Sequence, residues 1–584
     1  MLKEIPEDPN LRQQWDALVS LVDRPQVFYT YEWSLAVQRT YHVSFHPLLV
    51  LAYDESESLV GVVALAVGQD GKRVTFLCAT TGDYCDFVSE REHKPAFVSA
   101  VLGELRKQGL DDVTLTNLPA DSDTLSAVRK ASRQNGYRVY ARTAYVCAQV
   151  AFSQLEKSKD GKPFAPGLKR LKRFTKAMGS AAPVRSNHIR SWQAMEPILP
   201  EFMQAHVARF LEIGRISNIA NPIRRRFMAE LAKLLGEKDW VVLSRMFAGE
   251  RAVAWHYGFT YQGSWFWYQP TFDSSVEKHW PGFCLLSQVI QDGIDQGMTM
   301  LDLGLGSEAY KAKFANETRE TLYVTLYHSM LKHWATAFRD RMAQAVRVRP
   351  AVEKIAERLR QGMRAVLARL RRDGTPQTLA WMWKRVLGLV WAREEVVLYE
   401  WEYTAGATMQ SRGLQLHPVD LGRLAVAAME YEDDEATLGY LLRSTRRLRE
   451  GGIEGFVLTS EDGRPLHFAW VAPMNGFFCS ELGGALRGST DSAIVFDCWT
   501  PSVARGHGYY TQAIACIADR LRASGSRPWI FSAAGNVASI RGIGKAGFQR
   551  RYSMVRHQTL GRQRIEGEPP KFDETPAAEV SARV

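Results

Sequence analysis

Apolar and polar positions alternate along the first 150 residues in blocks that predict strands and helices in turn. Pro47–Tyr53 and Leu59–Val67 are short, continuous apolar runs, the pattern of strands buried on both faces. The polar stretch Asp54–Ser58 between them predicts a turn. Lys94–Gln108 carries apolar residues at helical spacing, and Asp112–Asn117 follows as a strand. A second α/β block begins after the Gly/Pro/Lys-rich stretch Lys159–Gly167. Here the pattern predicts a helix near Ile223–Leu235 and strands at Trp240–Met246, Ala252–Thr260 and Ser264–Gln269. A helix at Phe283–Gln296 and a strand at Met300–Leu303 complete the block. From about residue 331 to 393 the pattern is helical and strongly basic. Strand–helix alternation returns past Val396 and runs to about residue 562, and the Pro-, Glu- and Ala-rich tail predicts disorder. The expected segments are 1–155, 156–330, a basic helical linker 331–395, a further α/β domain 396–562 and a tail 563–584. The expected fold class is α/β (α+β), with tandem mixed sheets flanked by helices.

Composition narrows the functional classes. The 584 residues are enough for several structural units, and a 46% hydrophobic share fills several cores. No apolar run reaches the roughly 18–20 residues of a membrane span. The charged N-terminal stretch lacks the apolar region of a secretory signal. The seven cysteines are odd in number and form no CxxC, which fits reduced thiols in the cytoplasm rather than a disulfide framework or zinc site. Asp83 and Asp86 share one loop without further ligands in reach, so no metal is expected. The net charge of +11 favours anionic partners: a phosphorylated cofactor, acidic lipid or nucleic acid.

The most informative segment is Ala493–Ile514. An apolar strand runs into Arg505-Gly506-His507-Gly508-Tyr509-Tyr510, and an amphipathic helix follows. Gly506 and Gly508 let the backbone turn its N–H groups outward, and the helix start adds its positive end. Such a turn can cradle a pyrophosphate, with Arg505 at its mouth. It can also be an ordinary strand-to-helix turn. A second strand, Pro528–Ala534, leads to Asn536, Ser539, Lys545 and Gly547-Phe548.

Arg505–Gly508 resembles the RxxGxG/A acyl-CoA loop of the GNAT superfamily. Asn536-Val-Ala-Ser539, with Lys545-Ala-Gly547-Phe548 after it, resembles that superfamily's downstream motif. The resemblance implies that acetyl-CoA or another acyl-CoA binds 396–562 through Arg505, Gly506, His507, Gly508, Tyr509, Tyr510, Asn536 and Ser539. Two positions depart from the pattern. Tyr510 stands where Gly or Ala is usual. Ile543 stands where many members carry the tyrosine that protonates the departing thiolate, which leaves His507, Cys498 or Tyr510 to serve, or a domain that binds CoA without turnover.

In the second block, Asp302-Leu-Gly304-Leu-Gly306-Ser-Glu308-Ala-Tyr310-Lys311 ends a strand in a glycine turn, with Pro281-Gly282 opening a helix upstream. These residues, with Phe28–Trp33 and Asp83-Tyr84-Cys85-Asp86, resemble the CelD/BcsL-type, FemAB-like acetyltransferases over roughly residues 10–330. Trp280 and Leu303 replace that family's usual serine and phenylalanine. The resemblance implies two GNAT-like lobes side by side and a site at Asp86, Glu308, Tyr310 and Lys311. Lys311 and Glu308 would orient an anionic donor or a sugar acceptor, Tyr310 would donate a proton, and Asp86 would act as base. The structural alternatives are an exposed Glu308–Lys311 ion pair pinning the turn, Asp302 as a turn cap and Asp86 as a solvated loop carboxylate.

The 331–393 stretch gathers Arg339, Arg341, Arg347, Arg349, Arg358, Arg360, Arg364, Arg369, Arg371 and Arg372, with Trp381, Trp383 and Trp391 near Lys384 and Arg385. A helix with a solvated face, a contact with an anionic membrane or polymer, and an aromatic–basic surface for nucleic acid all fit. Taken together, the expectation is a cytoplasmic acyltransferase, peripheral at the inner membrane. It would move an acyl group from acyl-CoA to an amine or hydroxyl on a cell-envelope or exopolysaccharide precursor, with nucleic acid not expected as a partner. The alternatives are an aminoacyl-tRNA-dependent FemAB-type transferase and a CoA-binding scaffold.

Overall fold

The computed structural model describes residues 1–178, 184–306, 308–347, 370, 374–375, 391–402, 413–559 and 562–567. The chain divides into two compact units, one of Met1–Arg209 with Asn221–Ala345 and one of Phe210–Ala220 with Val346–Val584. Both are mixed α/β, as the pattern predicts.

Unit one is built on a 12-stranded sheet. Its strands are β1 (Phe45–Tyr53), β2 (Leu59–Gly68), β3 (Arg73–Phe76), β4 (Val88–Ser89), β5 (Asp112–Pro119), β6 (Arg138–Ala151), β7 (Val184–Ile189), β8 (Val241–Ala248), β9 (Arg251–Tyr261), β10 (Ser264–Phe272), β11 (Met300–Asp302) and β12 (Glu317–Tyr327). The order is β1-β2-β3-β5-β12-β6-β11-β10-β9-β8-β7, with β4 on β2. β9 is buried from Ala252 to Tyr261, matching its unbroken apolar run. The sheet is continuous through both early blocks. β6 pairs with β12 over Arg138–Gln149 and with β11 over Gln149–Ala151. β12, late in the chain, inserts between β5 and β6. That exchange ties the glycine turn after β11 to loops of the first 120 residues.

The helices start where capping chemistry allows. Pro9–Leu21 opens with Pro at its first turn and Asp8 accepting from Asn10 N. Tyr31–Tyr41 opens on Thr30, whose hydroxyl accepts from Trp33 N. Asn221 accepts from Ile223 N and Arg224 N at the head of Pro222–Gly236. A core of Val150, Phe152, Val242, Trp265, Trp267, Leu285, Val289 and Leu301 packs the Pro281–Asp295 helix on the sheet.

Unit two holds an eight-stranded sheet. Its strands are β13 (Trp391–Trp401), β14 (Gln415–Pro418), β15 (Glu454–Thr459), β16 (Pro465–Pro473), β19 (Ser492–Trp499), β20 (Arg527–Ala533), β21 (Phe548–Thr559) and β22 (Arg562–Glu566). β17 (Phe478–Cys479) and β18 (Gly484–Ala485) form a separate ribbon. The order is β14-β15-β16-β19-β20-β13-β21-β22. The helices Tyr509–Ala523 and Val537–Lys545 cover one face, burying Ile514, Ile517, Ala518 and Ile543 against Val397, Val471, Val495 and Ile530.

Arg339 and Arg341 are exposed on a helix spanning Met330–Arg347. Arg349, Arg358, Arg360, Arg364, Arg369, Arg371, Arg372, Trp381, Trp383, Lys384 and Arg385 lie outside the described residues, as does nearly all of the tail. No helix among the described residues is long and apolar enough to cross a membrane.

Candidate functional site

In unit two, β19 and β20 run parallel and pair from Ser492↔Arg527 to Val495↔Ile530, where the ladder stops. β20 continues on β13 as far as Ala533. β19 continues on β16, but its register shifts between Phe496 and Trp499. The cause is local. Asp497 takes φ +42, a left-handed conformation that bends the strand. Arg447 pairs with its carboxylate, and the Tyr440 hydroxyl donates to its carbonyl at 3.1 Å. The two strands therefore part, and the chain leaves β19 through Pro501–Gly508 to start the Tyr509–Ala523 helix.

Gly506 (φ +85) and Gly508 (φ +81) are both left-handed, and no atom lies within 4 Å of where a Cβ would stand on either. Among the described residues, no acceptor takes the backbone N–H groups of Gly506, His507, Gly508, Tyr509 or Tyr510. These donors and the helix start face open space, which suits a pyrophosphate. Arg505 is not free at the mouth. Its Nε donates to Thr500 O at 3.1 Å, and its guanidinium lies 5.6 Å over the Trp499 ring. His507 is exposed, with Nδ1 3.0 Å from Arg505 O. Asn536 caps the next helix by accepting from Ser539 N at 3.1 Å, and Ser539 Oγ lies 2.9 Å from the Tyr510 hydroxyl. The Tyr510 ring fits because position 542 is glycine: a Cβ there would lie 2.6 Å from Tyr510 Cδ1. Burial raises the Tyr510 hydroxyl above its ordinary range, and the Cys498 thiol likewise. Ile543 is wholly buried in the core.

One polar residue there escaped the sequence reading. His467 on β16 is 1% exposed, and burial pushes its imidazole down to about 3. Its Nδ1 is 2.8 Å from Thr500 Oγ1, and its Nε2 has no partner among the described residues. Its ring lies 5.5 Å from that of Tyr510. A lone histidine in an apolar strand gave no signal that its neighbours would be Thr500 and Tyr510.

In unit one, the turn after β11 is closed on itself. Asp302 is 1% exposed and saturated: it accepts from Gly304 N at 2.8 Å, Tyr84 Oη at 2.8 Å and Gln149 Nε2 at 2.7 Å. It is a turn cap and more, because Tyr84 and Gln149 come from other segments. Lys311 is 4% exposed. Its Nζ donates to Leu305 O at 2.7 Å and pairs with Glu308 Oε2 at 2.8 Å. The expected exposed ion pair is thus half right, since Glu308 is exposed while Lys311 is buried under the turn. Tyr310 packs on the core, and burial, with Glu308 nearby, raises its hydroxyl.

Asp83 meets this turn. A Cβ on Gly304 (φ +69) would lie 2.5 Å from Asp83 Oδ2. Loss of solvent, then the Asp302 carboxylate, raises the Asp83 carboxyl to about 7. Asp86 points elsewhere. It accepts from Thr124 Oγ1 at 2.5 Å and Ser122 Oγ at 2.7 Å, with Lys94 Nζ at 3.5 Å. The structure therefore brings Glu308, Tyr310 and Lys311 together with Asp83, Tyr84 and Asp302, and bonds Asp86 to a separate set of residues. No cluster among the described residues has the makings of a metal site.

Residues 167–312 match the family model of an acetyltransferase (GNAT) domain. The GNAT match takes in β11, the Gly304 turn, Glu308, Tyr310 and Lys311, and ends before the Arg505 turn. No curated protein matches the chain. Among solved structures, L-PGS from Bacillus licheniformis is similar at 14% identity and TM-score 0.38, covering 58% of this chain and 98% of that one. FemX is similar at 10% identity and TM-score 0.38, covering 56% and 98%. A tandem GNAT protein from the clavulanic acid biosynthesis pathway is similar at 12% identity and TM-score 0.32, covering 55% and 95%.

Proposed function

We propose that the protein is an acyl-CoA-dependent acyltransferase that acylates an amine or hydroxyl. The observation that carries this reading is the open turn at Gly506–Tyr510 beside the parting of β19 and β20. The GNAT match at 167–312 supports the reaction class. Gly506–Tyr510 would hold the pyrophosphate through backbone N–H groups, and the backbone of β19 and β20 beyond the end of their pairing would align the rest of the molecule. Acyl-CoA supplies the activated acyl group. Tyr510, with Ser539 at its hydroxyl, would serve as proton donor in place of Ile543. In the first unit, Asp83 meets the Gly304 turn and burial raises its carboxyl to about 7, so it would be the base there, while Asp86 is bonded to Thr124 and Ser122.

The CelD/BcsL-type resemblance of Gly304–Lys311 supports an envelope or exopolysaccharide precursor as acceptor. Membrane proximity is supported by the helix Met330–Arg347, which exposes Leu331, Trp334 and Phe338 beside Arg339 and Arg341. Buried Ile543 favours a second reading, in which 396–562 binds CoA without turnover and transfer occurs in the first unit, on acyl-CoA bound there. Thiol release from acetyl-CoA by the full-length protein, over a panel of amines and sugars, tests both. Release lost in Gly508→Val and Tyr510→Phe supports the first reading. Release lost in Asp83→Asn but kept in Tyr510→Phe supports the second. Binding of CoA without release for any acceptor leaves neither standing as an enzyme.

A further inference from the structure

Unit one contains a cavity of about 350 Å³, lined by residues of the Leu21–Arg24, Asp86–Lys94 and Asp121–Asp123 segments and by Arg319. Its size falls in the range of small-molecule sites. Arg319, on β12, is 6% exposed. Two of its nitrogens are committed to Asp121: Nε and Nη2 each lie 3.0 Å from Oδ1. Its third nitrogen, Nη1, is buried and donates to nothing among the described residues. A buried guanidinium nitrogen without an acceptor is rare, because the lost hydration is not replaced. A second cation shares the wall. Lys94 is 7% exposed, and its nearest oxygens, Ser122 Oγ and Asp86 Oδ2, are both 3.5 Å away. Two nearly buried cations with spare donors thus line one cavity.

The lining is not simply positive, because Asp86 and Asp121 are part of it. Both carboxylates already have partners, Asp121 in Arg319 and Arg24 and Asp86 in Thr124, Ser122 and Lys94, but a bare anion would still lie against their negative charge. The complementary ligand carries an oxyanion for the cations and hydroxyl donors for the carboxylates. We propose that this cavity binds a small hydroxylated oxyanion, a sugar phosphate or sugar carboxylate. Arg319 Nη1 and Lys94 Nζ take the oxyanion, and Asp86 Oδ2 accepts a hydroxyl. The site is independent of the CoA reading, and it is linked to the glycine turn only through Tyr84 and Asp302. The Arg319 guanidinium lies 4.7 Å over the Tyr84 ring, and the Tyr84 hydroxyl donates to Asp302, which caps the Gly304 turn.

Titration calorimetry on the full-length protein, with glucose 6-phosphate, glucuronate and glucose as probes, tests this. At least one of the two charged sugars should saturate a single site, with glucose at least about tenfold weaker. Which charged sugar binds tighter separates phosphate from carboxylate recognition. Lys94→Gln and Arg319→Lys should each weaken binding about tenfold or more, with thermal unfolding still cooperative. Gly508→Val, in the other unit, should bind the sugar as the wild type does, even where CoA binding is lost. If Arg319→Lys does not fold, Lys94→Gln decides. The proposal is overturned if neither charged sugar saturates, if glucose binds as tightly, or if folded Lys94→Gln keeps full affinity.

Discussion

The chain writes the same short phrase twice, Gly304-Leu-Gly306 after one strand and Gly506-His-Gly508 after another. All four glycines are left-handed. The surroundings make opposite objects of them. Around Gly304 the turn is filled: Asp83 presses against the missing Cβ, Lys311 reaches back to Leu305 O, and Asp302 takes the Gly304 N–H. Around Gly506 and Gly508 nothing approaches, and the N–H groups have no acceptor among the described residues. A G-x-G turn is thus a lock or a cradle according to what other segments bring to it.

Substitutions should expose the contrast. The largest stability loss is expected for Gly304→Val. Left-handed strain of about 1–2 kcal/mol adds to an overlap with Asp83 of about 1–3 kcal/mol, readable by denaturant unfolding. Lys311→Ala should come next, at about 1–3 kcal/mol, because it leaves the Leu305 carbonyl and Glu308 without their shared donor. A loss below the detection limit would mean that the turn holds itself without Lys311.

A different kind of effect separates the two turns by pH. Asp83 has its folded value near 7, above the ordinary 3.8 of the unfolded chain. Its protonated form favours the folded state. That contribution is whole at low pH, falls as pH rises from about 4 to about 7, and is flat above. Asp83→Asn should remove that slope from the stability–pH curve, and an unchanged curve would deny the raised value. The smallest stability effect is expected for Gly508→Val, at about 1–2 kcal/mol of backbone strain alone. A loss as large as that of Gly304→Val would erase the distinction between lock and cradle.

The letters carried most of the sheet. Apolar runs located β1, β2, β5, β8, β9, β10 and β11 to within a few residues. They missed the helices Pro9–Leu21, Tyr31–Tyr41 and Thr124–Asn135, although Asp8-Pro9 and Thr30 are capping signals. They also missed β12, whose alternating Thr321-Leu-Tyr-Val-Thr-Leu was legible, but whose place between β5 and β6 was not. Strand insertion is a long-range choice that no local pattern encodes. The same limit governed the site. The motif residues Glu308, Tyr310 and Lys311 stood together in the sequence, but the preference for Asp83 over Asp86 depends on which loop carboxylate meets Gly304. The Arg319 cavity depends on β12 reaching Asp121, 198 positions away.

The central claim is that the Gly506–Tyr510 turn is an open cradle for a pyrophosphate. Calorimetry of CoA against the full-length wild type and Gly508→Val tests it most directly. The wild type should bind CoA saturably, and a folded Gly508→Val should not. Equal binding by the two proteins, or none by the wild type, would contradict it.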